Sequence, residues 1–280
     1  MTSVTAVTAI GERTAARSQQ DALRARPAGF LHDVTAIAGR ALRAVPRDPA
    51  GVIPPVFIAL FFFIVNVATL KKLTGGIMGF DYTAFQMGTA VLLGVTGVSR
   101  APALVLDVQN GYFDRLLLTP VRRTAILLGH MAADVAVAAG ITVPIVILGL
   151  ALGVRFQGGL LGAVVFIALA SIWSLAFAGF GYAIALKTGN PAAVNSSFLL
   201  FFPFLFLTTS YVPLDQLSGW LGAVAHVNPV TYLLGGLRSL VLDSTVQWAQ
   251  LGLALAAAAL VGSASTEMCF AALRGRLKRG

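Results

Sequence analysis

Long apolar runs separated by short polar connections dominate the chain from about residue 52 onward. A helix needs about 20 mostly apolar residues to cross a bilayer. The runs predict six transmembrane helices, at about residues 52–70, 83–106, 126–154, 158–186, 192–214 and 245–270. The predicted fold class is therefore an all-α polytopic membrane protein.

A further apolar stretch, residues 215–242, has a different pattern. Between Asp215 and Arg238 it contains no Lys, Arg, Asp or Glu, so its length alone would allow another span. However, Asn228 and Pro229 form a turn signal in its middle. We therefore predict two short helices separated by a turn. A broken segment is tolerated at membrane depth only where protein or a water-filled cavity surrounds it.

Ahead of the first span, residues 29–47 have an amphipathic pattern. Phe30, Val34 and Ile37 fall close to one helical face, and Arg40 and Arg43 are available to the other. The pattern predicts an interfacial helix on the membrane surface, and the alternative is a helix packed on the protein's own surface. Residues 1–27 are predicted to be a disordered cytoplasmic tail, and residues 28–280 to be one transmembrane domain.

Composition and charge agree with membrane insertion. The chain is 57% hydrophobic and 11% charged, whereas a soluble domain carries about 25% charged residues. With six spans, only Lys71, Lys72, Arg155 and Arg238 of the 20 Lys and Arg residues lie on the side away from the termini. Positive charge marks the cytoplasmic side, so both termini are expected there. The basic excess therefore points to membrane lipids rather than to nucleic acid.

One charged connection, DVQNGYFDRLLLTPVRR, interrupts the apolar runs after the second span. Phe113, Leu116 and Leu117 are spaced as one helical stripe, whereas Asp114 and Arg115 face elsewhere. A proline at position 120 marks the end of the helix. From the residues alone, a surface for another protein and an ordinary interfacial loop are equal alternatives.

This connection resembles the cytoplasmic signature of ABC-2 type transporter permeases, particularly those of the daunorubicin-resistance exporters. The residues that carry the resemblance are Gly111, Phe113, Asp114, Arg115, Leu116, Leu117, Leu118, Thr119, Pro120, Val121 and Arg123. The segment from Ser210 to Ser244 is similar to the external segment of the same family. Its matching residues are Pro213, Leu217, Trp220, Leu221, Asn228, Pro229 and Arg238. Gln109 and Asn110 depart from the pattern, since relatives often carry charge there.

The resemblance implies a six-helix exporter fold in which residues 107–120 form a coupling helix and residues 215–242 form external re-entrant helices. It implies that a separate ABC ATPase receives the coupling helix through Asp107, Gly111, Phe113, Asp114, Arg115, Leu116 and Leu117. The complete transporter would hold two ATPases and a second permease subunit, identical or homologous. In the external segment, Trp220, Asn228, Pro229 and Arg238 are the family positions.

The same resemblance implies that this chain is a non-catalytic subunit. It has no Walker loop of the type G-x-x-x-x-G-K-[ST], so ATP and Mg²⁺ are expected on the partner ATPase and no cofactor on this chain. The expected cargo is an amphiphilic drug or lipid-like molecule leaving across the bacterial plasma membrane.

Several residues within the apolar runs are candidates for a substrate path or gate. Phe198 and Phe202 crowd the fifth span beside Pro203, which would let the helix flex. Core or lipid packing is the alternative for these rings. Arg100 is expected to snorkel toward the cytoplasmic surface, and its alternative role is to meet an anionic headgroup of a substrate lipid.

Ionisable residues inside a membrane are functional candidates by default, and His130 and Asp134 lie four residues apart in the third span. We favour a structural role for Asp134, in which it reaches water or pairs with Arg122 or Arg123. Arg238 is expected to form a structural ion pair with Asp243 or Asp215, and contact with the substrate is the alternative.

Two other functions remain as alternatives. A polysaccharide or teichoic-acid exporter would favour aromatic rings for stacking on sugars, and the chain has only Trp173, Trp220 and Trp248 as tryptophans. A proton-driven secondary transporter would use Asp134 as the proton carrier. Such transporters often carry matching broken spans in both halves, and this sequence has one broken segment.

Overall fold

The computed structural model describes residues 29–74, 79–117, 122–243 and 245–277, which contain helices and no strand. The predicted tail, residues 1–27, lies outside them. The helices are α1 (Phe30–Ala44), α2 (Ile53–Thr74), α3 (Tyr82–Thr96), α4 (Ala101–Gln109), α5 (Tyr112–Leu117), α6 (Arg123–Ala151), α7 (Gly159–Thr188), α8 (Pro191–Phe206), α9 (Gly219–Val227), α10 (Pro229–Ser239) and α11 (Trp248–Leu277). Single 3₁₀ turns occupy Val45–Arg47, Pro49–Gly51 and Leu214–Gln216.

Among the described residues, five segments are long and apolar enough to cross a membrane. They are Ile53–Lys72, Tyr82–Gln109, Thr124–Ala151, Gly159–Thr188 and Trp248–Arg276. The predicted fifth span, residues 192–214, is helical only as far as Phe206, where the N–H of Leu207 bonds the carbonyl of Pro203 and closes the last turn. A sixth span through α8 therefore stays a prediction.

The second span is two helices rather than the continuous helix predicted for residues 83–106. Residues 97–100 separate α3 from α4, and the Ser99 hydroxyl caps α4 by accepting from the N–H of Ala101 at 3.1 Å. Pro102 lies in the first turn of α4, where the N–H that proline lacks would have no partner within the helix. Because α4 continues to Gln109, Asp107 belongs to this span and not to the coupling helix predicted at 107–120.

Helix α1 packs on the protein itself, which is the alternative that the amphipathic pattern left open. Its buried residues, Ile37 and Ala41, face α6. A Cβ atom on Gly129 of α6 would lie only 2.6 Å from the Cβ of Ile37, so this close approach requires glycine. Leu31 is 76% exposed, and contact of α1 with a membrane stays a prediction.

Hydrogen bonds place the connections at two ends of the bundle. At one end the Gln109 amide donates to the carbonyl of Gly189, and Arg276 near the end of α11 donates to Leu186. Helix α1 lies at this end too, and we call it the basic end. At the other end the N–H of Gln157 donates to the carbonyl of Leu240 at 3.2 Å. The connections after the second and fourth spans and the end of α11 therefore share one end, and the side of the membrane that this end faces stays a prediction.

Helix α7 lies at the centre of the bundle and packs on α3, α6, α8 and α11. The indole N–H of buried Trp173 donates to the hydroxyl of Thr96 at 3.0 Å. Small residues let α11 approach α7 closely, as is common between membrane helices. A Cβ atom on Gly179 would lie 2.6 Å from the Ser265 hydroxyl oxygen and 2.7 Å from the Ser265 backbone.

Candidate functional site at the basic end

The segment predicted as a coupling helix forms a turn followed by the short helix α5. Gly111 has a φ of +67°, a conformation that suits glycine, and it lets the chain turn sharply between α4 and α5. Helix α5 starts at Tyr112 rather than at residue 107. Arg115 is exposed and Leu116 is half-buried. The structure does not describe the side chains of Phe113, Asp114 and Leu117 or residues 118–120 of the predicted helix.

A charged side chain of α1 holds the turn before α5. The guanidinium of Arg40 forms a two-pronged ion pair with Asp107, in which Nη1 lies 3.3 Å from Oδ1 and Nη2 bonds Oδ2. The same guanidinium carbon lies 4.4 Å from the centre of the Tyr112 ring, which is a cation–π contact. Burial lowers the pKa of Arg40, but the hydrogen bond and charge of Asp107 raise this pKa more, so its net pKa exceeds the ordinary value.

His130 of α6 completes this cluster. Its Nε2 atom lies 3.6 Å from Oδ2 of Asp107, and the ring is buried. The cluster of Arg40, Asp107, Tyr112 and His130 therefore joins α1, α4, α5 and α6. Sequence reasoning missed Arg40 and Tyr112, because 67 residues separate Arg40 from Asp107 and no local pattern links them.

Asp134 is fully buried, and its expected access to water or to Arg122 and Arg123 is wrong. One carboxylate oxygen accepts from the backbone N–H of Arg100 at 2.6 Å, and the other accepts from the Tyr182 hydroxyl at 2.6 Å. Asp134 lies 11 residues beyond Arg123, which is about 16 Å along a helix axis. That separation is too great for a direct ion pair, so Asp134 binds the break in the second span instead.

Arg100 does not snorkel to the surface, contrary to expectation. Only 4% of the residue is exposed, and its Nη1 donates to Oδ2 of Asp48 at 3.1 Å. Through its backbone and side chain, Arg100 links the connection after α1 to α6. Together Asp48, Arg100, Asp134 and Tyr182 form a polar network around the break in the second span.

The two short helices predicted before the last span are present as α9 and α10, with Asn228 between them. Asn228 caps α10 by accepting from the N–H of Val230 at 3.0 Å. Its amide nitrogen donates to the carbonyls of Phe204 and Leu207 at 2.7 and 2.9 Å. Pro229 is the first residue of α10, and Trp220 on α9 is 69% exposed. Asn228 therefore ties this segment to the end of α8.

Arg238 of α10 is buried, but the predicted pairing with Asp215 or Asp243 is wrong. Its guanidinium donates to the Phe85 carbonyl at 3.1 Å and to the hydroxyls of Thr209 and Thr89 at 3.0 and 3.1 Å. The guanidinium carbon lies 3.4 Å from the centre of the Phe85 ring. Arg238 is thus held by neutral oxygens and a π face, and it anchors α10 on α3.

The gate candidates are partly brought together. Phe198 and Phe202 of α8 meet edge to face, with ring centres 5.9 Å apart, and Pro203 lies inside the same helix. Phe198 and Arg100 both line a cavity of about 330 Å³ beside the break in the second span, whereas Phe202 and Pro203 do not. Packing explains Phe202, which also contacts Phe206.

These features define a class of protein: a multi-span helical membrane protein with a short charged helix after the second span and two short helices before the last. The family model of the ABC-2 type transporter matches residues 32–242. The chain belongs to this family, so the resemblance seen in the sequence is confirmed.

Curated relatives agree with the family. The chain is 27% identical over 247 residues to the daunorubicin resistance ABC transporter permease protein DrrB1 of Streptomyces coeruleorubidus, covering 86% of this chain and 83% of that protein. It is 24% identical over 228 residues to the probable doxorubicin resistance ABC transporter permease protein DrrC of Mycobacterium tuberculosis, covering 80% and 82%. It is 25% identical over 198 residues to the inner membrane transport permease YadH of Escherichia coli, covering 66% and 73%.

Proposed function

We propose that this chain is the non-catalytic transmembrane subunit of an ATP-driven exporter in the bacterial plasma membrane, with both termini in the cytoplasm. A separate ABC ATPase, in two copies, binds α5, and ATP and Mg²⁺ are held by that ATPase. A second permease subunit, identical or homologous, completes the transporter. The cargo is an amphiphilic drug or a lipid-like molecule, and the drug-resistance names of two relatives support this class.

The observation that carries the proposal is the attachment of α5. The exposed Arg115 is available to a partner, while Tyr112 at the other end of α5 lies under the guanidinium of Arg40. Arg40 also binds Asp107 at the end of α4. Because of these contacts, a displacement of α5 moves α1 and α4 together.

The polar network offers a route for that force into the membrane. Helix α4 begins at the break in the second span, where the backbone N–H of Arg100 donates to Asp134 of α6, which also accepts from Tyr182 of α7. A displacement of α4 would therefore be transmitted through these hydrogen bonds to α6 and α7, two of the longest helices. A rigid route from α5 to the bundle is what an energy-coupled permease requires.

The test is export by vesicles that carry the permease with its native ATPase. Arg115→Glu reverses the exposed charge on α5, and we expect it to abolish ATP-dependent export and co-purification of the ATPase. Arg155→Glu is the matched control, because Arg155 is exposed at the opposite end of the bundle. Normal export by the Arg115 variant, or equal loss in both variants, would refute the role of α5.

The polysaccharide alternative is less well supported. Trp173, the only tryptophan in the middle of a span, is buried and bonded to Thr96, so its ring is committed to packing between helices. Trp220 and Trp248 are exposed, and they lie outside the interior of the bundle. The described part of the chain thus offers no row of tryptophans on which a sugar chain could stack.

A further inference from the structure

A cavity of about 330 Å³ lies beside the break in the second span. Its walls come from the first turns of α2, the break itself, α7 and α8. Pro54, Ile58, Phe177 and Phe198 give it a mainly apolar lining. Asn195 is exposed and also lines it, so the cavity opens toward the surface beside α8. Small-molecule sites have volumes of about 300–1,000 Å³, and this one is large enough for part of an amphiphile.

Two buried hydrogen-bond donors in the cavity wall have no partner among the described residues. They are Nε of Arg100 and the hydroxyl of Ser174. Arg100 is 4% exposed and Ser174 is 2% exposed. Buried polar groups in folded proteins nearly always have a hydrogen-bond partner, so two unpartnered donors on residues that line one cavity point to a ligand.

The unused hydroxyl of Ser174 is not a general property of serine on this helix. A serine inside a helix can donate to the carbonyl four residues earlier. Ser171, on the same helix, does so and bonds the Ile167 carbonyl at 2.8 Å. Ser174 makes no such bond, and its hydroxyl has no other hydrogen-bond partner among the described residues.

We propose that this cavity binds an amphiphile through an oxygen acceptor. Nε of Arg100 and the hydroxyl of Ser174 donate to a carbonyl, ester or phosphoryl oxygen. The apolar part of the ligand lies against Ile58, Phe177 and Phe198. Because Arg100 is already paired with Asp48 at 3.1 Å, the ligand needs an acceptor but no full negative charge. A membrane phospholipid and a carbonyl-bearing aromatic drug both supply this chemistry.

The proposal rests on the proposed function only in that a molecule held here can be cargo. Binding itself requires neither ATP nor the partner ATPase. It can therefore be measured on the purified chain in detergent, separately from export. Failure of the purified chain to bind either probe would overturn the cavity proposal and leave the permease assignment intact. If the unmodified chain binds a probe but its vesicles show no ATP-dependent export, the permease assignment fails and the cavity proposal stands.

The experiment uses two probes on the full chain. Binding of dioleoylphosphatidylglycerol is measured by native mass spectrometry, and binding of mitoxantrone, an anthraquinone amphiphile, by fluorescence titration. Three variants are compared with the unmodified chain. Ser174→Ala removes one donor, Arg100→Lys keeps a positive charge beside Asp48 but removes Nε, and Ser174→Phe fills the cavity. Ser171→Ala is the matched control, since its hydroxyl is already bonded within α7.

We expect at least one probe to bind the unmodified chain and the control equally. Loss of one hydrogen bond weakens binding about fivefold, so Ser174→Ala and Arg100→Lys are expected to show that reduction, and Ser174→Phe to abolish binding. Binding of the phospholipid alone would identify the occupant as membrane lipid, and binding of the dye would identify a drug-type site. Binding of neither probe, or equal binding by all variants, would overturn the proposal. The two milder variants keep the test valid if Ser174→Phe fails to fold.

Discussion

The carboxylate of Asp134 accepts a hydrogen bond from the backbone N–H of Arg100, 34 residues away, at the break in the second span. Ordinarily the first N–H groups of a helix, and those in a break, need water or a cap. Here the carboxylate supplies that acceptor from the neighbouring span, and Tyr182 donates to its second oxygen. An acid in the middle of a membrane helix thereby acts as a support for its neighbour.

This arrangement predicts different results for two substitutions of Asp134. Asparagine keeps an oxygen for the Arg100 N–H and presents an amide to the Tyr182 oxygen, so Asp134→Asn should keep both stability and export. Asp134→Ala leaves both groups buried without a partner, and it should lower the free energy of unfolding by about 3 kcal/mol. Thermal unfolding in detergent and vesicle export measure the two effects. Complete loss of export in a stable Asp134→Asn protein would instead favour the proton-driven transporter.

The Arg40–Asp107 pair should be energetically coupled. The pair is partly exposed, so we expect a coupling energy of about 1 kcal/mol in a double-mutant cycle of Arg40→Ala and Asp107→Ala. ATPase stimulation by the permease should fall in each single variant and no further in the double variant. Arg43→Ala, on an exposed position of the same helix, is the control. Additive losses in the cycle would show that the two residues act independently.

Arg238 should stabilise the packing of α10 on α3 through its three donor contacts. Arg238→Met removes bonds made by a charged group, and we expect a loss of about 3 kcal/mol in unfolding free energy. The unfolding free energy of Arg238→Lys should lie between those of the unmodified protein and the methionine variant, because a single ammonium cannot reproduce the planar guanidinium fork. Thermal unfolding measures the order, with Arg155→Met as an exposed control. Equal stability of the methionine variant would mean that the cost of burying the cation cancels its contacts.

The close approach of α7 and α11 should depend on Gly179. Because a Cβ atom there would fall within 2.7 Å of the Ser265 backbone, Gly179→Ala must push the two helices apart. Strain of this kind costs about 1–3 kcal/mol. Gly140→Ala is the matched control, since a Cβ at Gly140 meets nothing within 4 Å. Similar unfolding temperatures for the two variants would show that the helices adjust without cost.

Local sequence patterns predicted much of the architecture. Within the described residues, the apolar runs located five segments long enough to span a membrane, because burial in lipid requires continuous hydrophobicity. Asn228 and Pro229 located the division between α9 and α10, since each has a local backbone effect: the asparagine side chain caps and the proline lacks a donor. The charged, glycine-containing connection located α5, although not its first residue.

The contacts that make the candidate site were not visible in the sequence. Arg40 meets Asp107 across 67 residues, Arg100 meets Asp134 across 34, and Arg238 reaches Phe85 across 153. The sequence by itself determined which segments are apolar, where they break and at which end the positive charges gather, because these follow from local hydrophobicity and backbone chemistry. Only the tertiary structure decided which polar groups satisfy one another. Inside an apolar bundle a polar side chain needs a partner, and helix packing determines which partners lie within reach.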